Sequence, residues 1–407
     1  WQRSTQRQST QMHMPSNPPA TAILERLAPQ RWPLPLDLLP AGAVLVGGAV
    51  RDALLDRLKP QPDLDLVVPS GALALTRTLA NRLGGSCVVL DQERDMARLV
   101  LRGWTVDIAR QDGSSLEADL QRRDYRLNAI ALQLHGAAQR IAPTGGLADL
   151  QQGRLTAVRE SNLTDAPLRL LRGLRLMAEI PLSLDPMTAG WMRRHRQQLT
   201  QAAPERILAE LQKLVAGPLA DQAIEQLCQL ELIQPWAAGQ PLPTSVDAIQ
   251  LTASEQEQAL PLARLTALIS DQGLEQLRGS RALRQRCRRL RRWQQRLPDD
   301  LETLPEAERV QLHLDLDQDL AALILQLNPD LQSCWLRRWR EPEDPLFHPA
   351  SPVDGTTLQR ELKLTPGPQL GVLLMHLRQE RAFGRLHGRD DALQEAHRWT
   401  NRNRDAL

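Results

Sequence analysis

A chain of 407 residues with 42% hydrophobic content is long enough for two to four packed units and holds the apolar residues to fill them. Its 50 basic and 48 acidic residues leave a net charge of only +2, which excludes a polycationic or strongly acidic chain, and Arg, Asp or Gln interrupts every apolar run short of a membrane span. Cys87, Cys228, Cys287 and Cys334 stand far apart without CxxC spacing, so neither a zinc site nor a disulfide framework is suggested, and a reducing, cytoplasmic setting is expected.

The opening "WQRSTQRQSTQMHMPSNPP" is polar and has no apolar core, unlike a secretory signal. Residues 1–30 are expected to be a disordered lead, with a native start near Met12 or Met14. From about residue 41 to 145 short strands alternate with helices. "AVLVGG" (43–48) reads as a buried strand, "AVRDALLDRL" (49–58) as a helix and "DLDLVVP" (63–69) as a second strand. "GALALTRTLANRL" (71–83) reads as a helix and "SCVVLD" (86–91) as a strand. Two hairpins are expected, one at 97–109 turning at Gly103 and one at 130–143. Hairpins mixed with a few helices predict an α+β head. After about residue 160 the strand signals stop, and Leu, Ala, Gln and Arg recur at helical spacing to the end. A Pro-rich stretch at 341–355 sets a final segment apart.

Several clusters carry chemistry. Asp63 and Asp65 sit at i and i+2 of a predicted strand, which puts both carboxylates on one face and Leu64 and Leu66 on the other. Converging carboxylates suit Mg²⁺, although a D-x-D by itself is more often a solvated strand face. Gly47 and Gly48 stand where strand becomes helix, so backbone N–H groups can approach a phosphate, with Arg51 one turn on. A phosphate cradle some fifteen residues before a metal-type pair is a stronger signal than either alone: two Mg²⁺ ions bridging the carboxylates and a triphosphate suit nucleotidyl transfer. Asp107 alternates against Trp104, Val106 and Ile108 and is a candidate third carboxylate, or simply an exposed strand residue. Arg122, Arg123 and Asp124 precede Asn128, a set that can hydrogen-bond a ribose or a phosphate. Arg169, Arg172 and Arg175 recur every third residue along one side of a helix whose other side carries Leu170, Leu171, Leu174 and Met177. The eight histidines show no metal spacing.

The pieces GGAVRD, D-L-D, RRD-x-x-x-NAI and PLRLLRGLRL, in this order over residues 43–215, together with "APTGGLADLQQGRL" (142–155) and "ERILAELQKLV" (205–215), resemble the bacterial tRNA nucleotidyltransferase / poly(A) polymerase family, the class II CCA-adding group. The segment 354–386 is similar to that family's C-terminal region. The resemblance implies a polymerase-β-like nucleotidyltransferase head at 31–158 followed by all-α parts: a neck at 159–225, a body at 226–345 and a tail at 346–407. It implies Mg²⁺-dependent transfer of a nucleoside monophosphate from ATP or CTP to an RNA 3′-hydroxyl, most simply that of tRNA. Residue by residue, Gly48 and Arg51 match nucleotide-binding positions and Asp63 and Asp65 the Mg²⁺ ligands. Arg123, Asp124 and Asn128 match the nucleotide and ribose segment, and Arg169, Arg172 and Arg175 the nucleotide-binding arginines of the neck helix.

Two departures bear on base choice. Where the family's neck motif begins Glu-Asp, with the Asp reading the base, this chain has Asp165-Ala166. The loss of one such charged hydrogen bond is worth about 1.5–3 kcal/mol of discrimination. Only residues 110–121 separate the Asp107 strand from the RRD motif, whereas full CCA-adding members carry a longer flexible loop there; a short loop is a feature of members that add CC without the final A. The alternatives kept open are full CCA addition, A addition, poly(A) tailing, a non-catalytic RNA-binding relative with lost base selection, and transfer to a small molecule. Residues 278–293 hold eight Arg in sixteen, interleaved with Leu and Trp, which reads either as an RNA phosphate contact or as a solvated helix face.

Overall fold

The computed structural model describes residues 18–239, 250–298 and 303–403. The expected start at Met12 or Met14 and residues 1–17 of the expected disordered lead lie outside them. The rest of that lead is ordered, which corrects the sequence reading: Ala20–Leu27 forms helix α1, with Ile23 and Leu27 one turn apart and buried, and Trp32 and Leu34 fold in behind it. The Pro-rich flanks hide a four-residue apolar spacing.

The chain divides into two compact units, one of residues up to 203 with 218–232, the other of 204–217 with 233–407. The first is built on a seven-stranded mixed sheet. Its strands are β1 Val44–Val46, β2 Leu64–Val68, β3 Ser86–Asp91, β4 Met96–Leu101, β5 Trp104–Arg110, β6 Ala131–Gln133 and β7 Arg140–Ile141, in the order β3-β4-β5-β2-β1-β6-β7. Within this sheet only β2 and β5 run parallel; every other pair is antiparallel, and β3–β4, β4–β5 and β6–β7 are hairpins joined by short turns. Both predicted hairpins form, β4–β5 and β6–β7. One short strand after residue 160 departs from the all-helical expectation: Ser183–Leu184 (β9) pairs with Arg154–Leu155 (β8), a two-residue ladder too brief to leave a period-2 pattern.

The two faces of the sheet differ, and the difference locates the site. Cross-strand partners share a face. One face carries Leu45, Leu64, Leu66, Leu99, Val106 and Ile108, all buried, beneath helices α2 (Gly48–Leu54) and α3 (Ala72–Leu83). On the other, Val44, Val46, Val67 and Ala131 are covered by Leu116 and Leu120 of helix α4 (Leu116–Gln121). That cover stops at β2. Beyond it the face carries polar residues and exposed Val88 and Val100.

Helices α5 (Gly146–Gln152) and α6 (Glu160–Asp165) lead to α7 (Arg169–Glu179). The apolar side of α7, Leu170, Leu171, Leu174 and Met177, is fully buried, and α8 (Pro186–Arg194) follows it. The chain then enters the second unit with α9 (Pro204–Ala216) and returns with α10 (Ala220–Gln229), which packs on α7.

The second unit is helical: α11 Leu260–Leu268, α12 Asp271–Gln276, α13 Arg281–Arg296, α14 Glu306–Leu316, α15 Leu320–Ile324, α16 Pro329–Trp339, α17 Gly355–Leu362, α18 Pro368–Ala382 and α19 Arg389–Arg402. Helices α17–α19 enclose a core of their own around Leu358, Leu373, Leu377 and Ala396. The Pro-rich stretch before them is folded rather than a free spacer. Phe347 is buried against His313 and Trp335, and Asp344 accepts two hydrogen bonds from Arg338 at 2.7 and 3.0 Å.

Candidate active site

The chain turns from β1 into α2 at Gly47, whose φ of 76° suits a residue without a side chain. A Cβ there would stand 3.0 Å from Asp65 Oδ2 and 3.9 Å from an Arg123 guanidinium nitrogen. Gly47, Asp65 and Arg123 therefore meet around one small space. Arg51 is buried beside Gly48; its guanidinium donates to Asn128 Oδ1 at 2.8 Å and to Asp52 at 2.9 Å. The same contact fixes Asn128, which donates to Asp124 Oδ1 at 3.2 Å. The first and third motifs are thus one hydrogen-bonded unit.

Asp65 lies mid-strand, opposite Val46 on β1 and Asp107 on β5. Asp63 lies just ahead of β2 and is exposed, so only one of the two carboxylates is held by the strand. Burial pushes the Asp65 carboxyl up from 3.8 to about 6; the Arg123 and Arg172 charges pull it down, while Asp107 and Asp63 push it further up. A desolvated carboxylate with incomplete compensation, next to a space that a Cβ would fill, fits a divalent cation held by Asp63 and Asp65. Asp107 shares that face, but both its oxygens accept hydrogen bonds from Arg98, at 2.7 and 3.0 Å. Among the described residues no group of three or more His, Cys, Asp or Glu is arranged to hold a metal.

The RRD segment is held in place by residues outside the sequence motifs. Asp119 of α4 accepts from the Asp112 N–H at 2.9 Å and from Arg123 at 3.2 Å; the i, i+4 spacing of Asp119 and Arg123 is its one visible signal in the sequence. Asn162 of α6 donates to the backbone oxygens of Gln121 and Arg123 at 2.9 and 2.7 Å. The loop between β5 and α4 is five residues long and closed by an Arg122–Asp112 pair at 3.0 Å.

Asp124 is buried, and its burial would raise its pKa. Arg172, the Tyr125 N–H, Arg169 and Asn128 outweigh that and hold the carboxyl below the ordinary range. Arg172 Nε lies 3.2 Å from Asp124 Oδ2 and keeps nearly half of its side chain in solvent. The neck arginines therefore diverge. Arg172 joins the RRD segment, Arg169 donates to the Asn162 backbone at 2.7 Å, and Arg175 pairs with Glu179 at 2.8 Å. Asp165 is exposed at the end of α6 and acts on Arg169 through its charge; Ala166 follows it, and its carbonyl accepts from the Arg169 N–H at 2.8 Å. Tyr125, fully buried, donates its hydroxyl to the Arg169 carbonyl at 2.8 Å and lies directly against Gly173.

Residues 43–156 match the poly(A) polymerase head domain, and residues 181–238 match the probable RNA and SrmB-binding site of polymerase A. The chain is 33% identical over 403 residues, 89% of its length and 95% of the relative's, to a CC-adding tRNA nucleotidyltransferase of Synechocystis. Its fold is similar to that of a CCA-adding enzyme solved with CTP, with a TM-score of 0.72 at 22% identity over 94% of this chain and 97% of that one. It is likewise similar to the Thermotoga maritima CCA-adding enzyme complexed with tRNA, with a TM-score of 0.70 at 22% identity over 88% and 91%. A sheet whose uncovered half begins at Asp65, motifs joined by their own side chains and a full-length relative lead to one assignment: the chain belongs to the tRNA nucleotidyltransferase / poly(A) polymerase family.

Proposed function

We propose that this protein is a cytoplasmic enzyme that transfers CMP from CTP to tRNA 3′ ends lacking CCA, adding CC and stopping before the final A. The observation that carries the reading is the five-residue, ion-paired connection between β5 and α4, where full CCA-adding members carry a long flexible loop. The CC-adding relative that aligns over 89% of this chain supports it.

Asp63 and Asp65 would hold Mg²⁺, which supplies charge neutralisation on the reacting phosphoryl group and lowers the pKa of the attacking 3′-hydroxyl. The Gly47-Gly48 turn presents backbone N–H groups where the triphosphate would lie. Arg123, braced by Asp119, and Arg172, braced by Asp124, place two guanidinium groups near Asp65 to orient the nucleotide. Asp124 and Asn128 are committed to each other and to Arg172 and Arg51, so they orient donors rather than stand free for substrate. Asp165, exposed and acting on Arg169 through its charge, would be the acidic side chain that reads a base edge, since Ala166 removes the neighbouring acceptor.

Purified protein with Mg²⁺ and tRNA ending before the CCA is expected to incorporate two CMP from CTP, and no AMP when ATP follows. No incorporation with any tRNA end would overturn the enzyme reading, terminal AMP the CC reading, and long oligo(A) products would make the protein a poly(A) polymerase. Ala166→Asp is expected to change the CTP-over-ATP preference by about tenfold or more, the worth of one charged hydrogen bond.

The second unit supplies a surface suited to the RNA backbone. Helix α13 buries Cys287, Leu290, Arg291 and Trp293; Arg291 pairs with Asp271 at 3.1 Å and the half-exposed Arg286 with Asp319 at 2.7 Å. Arg281, Arg284, Arg288 and Arg292 line two shallow hollows on its outer side. Replacing Arg281, Arg288 and Arg292 together by Ala is expected to weaken tRNA binding. It should also reduce the slope of log K against log salt by about 0.7–0.9 for each phosphate no longer neutralised. An unchanged slope would remove this helix from the interface.

A further inference from the structure

One cross-strand row runs over the uncovered half of the sheet: Asp65 on β2 is opposite Asp107 on β5, Asp107 is opposite Arg98 on β4, and Arg98 is opposite Val88 on β3. All four side chains share a face. Arg98 grips Asp107 with Nε on Oδ1 at 2.7 Å and Nη2 on Oδ2 at 3.0 Å. This fork geometry uses both carboxylate oxygens at once. Asp107 is mostly buried, with 16% of its side chain exposed, whereas 42% of the Arg98 side chain is in solvent. The guanidinium has room to swing off; the carboxylate is fixed on its strand next to Asp65.

We propose that Arg98 is a positioning residue that decides how far Asp107 takes part in cation binding at Asp63 and Asp65. While Arg98 holds Asp107, the third carboxylate is withheld and its charge cancelled. A divalent cation at the Asp pair must compete with the guanidinium for it. The inference rests on the metal reading of Asp63 and Asp65 given above. Asp107, Asp63 and Asp65 all act on Arg98 through their charge, while Arg123 and Arg172 act on Asp65 from the same site, so removing the Arg98 guanidinium raises the net negative charge there without removing a ligand.

The opposite sign separates this from an ordinary structural ion pair. Loss of a merely structural pair loosens the sheet and weakens every ligand, whereas Arg98→Met should tighten Mg²⁺. Mg²⁺ titrated into the full chain without RNA or nucleotide, followed by thermal denaturation, reads binding independently of activity. The midpoint is expected to fall about tenfold in Arg98→Met, the worth of one charge-assisted hydrogen bond, and to stay near wild type in Arg98→Lys. In Arg98→Met/Asp107→Asn it should return to the wild-type value or above. Arg98→Gln, which keeps a polar group on the strand, serves as a second variant, and circular dichroism in EDTA establishes that each variant is folded. A folded Arg98→Met or Arg98→Gln protein with a midpoint equal to or above wild type overturns the proposal. A wild-type protein whose melting does not respond to Mg²⁺ at all overturns the metal assignment itself, a different result.

Discussion

Asp65→Asn is expected to abolish nucleotidyl transfer while making the metal-free protein more stable. Activity should fall by at least about 10²–10³-fold, the scale for loss of one preorganised electrostatic group. The stability gain follows from the desolvated carboxylate. Its pKa is raised from 3.8 to about 6, so the folded protein binds a proton that the unfolded chain releases between those values. Below about pH 4 both states are protonated and the side chain costs nothing. As pH rises to about 6 the unfolded carboxylate ionises first, and folding loses up to about 3 kcal/mol, a penalty that stays constant above that pH. Asn carries no charge and escapes it. Melting curves of both proteins in EDTA between pH 4 and 8 should diverge up to pH 6 and run parallel above it. Mg²⁺ should stabilise only the wild type. Equal melting at pH 7.5 would mean that Asp65 bears no uncompensated charge.

Gly173→Ala is expected to damage the first unit severely for a single added methyl group. A Cβ at that position would fall within the hydroxyl and ring of Tyr125, which is itself fully buried. Neither partner can yield, since Gly173 is in the middle of α7 and the Tyr125 hydroxyl is bound to the Arg169 carbonyl one turn earlier. Overpacking of this kind costs typically 1–3 kcal/mol, and here the upper end or beyond is expected. The shift of α7 would also displace Arg172 from Asp124, so kcat should fall in whatever fraction remains folded. Tyr125→Phe should cost about 1 kcal/mol for its hydrogen bond and, combined with Gly173→Ala, recover part of the loss. Chemical denaturation of the two single variants and the double variant measures the coupling. Additive losses would show that the two residues do not meet.

Much of this site is legible from the amino-acid order. GGAVRD, D-L-D and RRD-x-x-x-N are local signals, because turn glycines, strand alternation and short spacings are written within a few residues. Their assembly through Arg51, Asn128 and Asp124 is not, since the Arg51–Asn128 bond spans 77 residues. Arg98 is silent in the sequence for the same reason. A lone Arg in "ARLVL" becomes significant only once the β4–β5 register sets it against Asp107. Alternation alone places Asp63 on the strand, yet the ladder begins one residue later. The three neck arginines look equivalent by spacing, but their partners, Asn162, Asp124 and Glu179, come from different places and give them different tasks.

The route of the chain through α9 and α10 has a consequence for how this gene can be cut. The helix that packs on α7 is encoded after a thirteen-residue helix that belongs to the other unit. A fragment stopped at residue 203, where the first unit pauses, would leave that surface of α7 bare and prone to aggregate. The nucleotidyltransferase half is therefore not a cassette that recombination or truncation can lift out at a single junction. Its stretch of chain is interleaved with that of its neighbour.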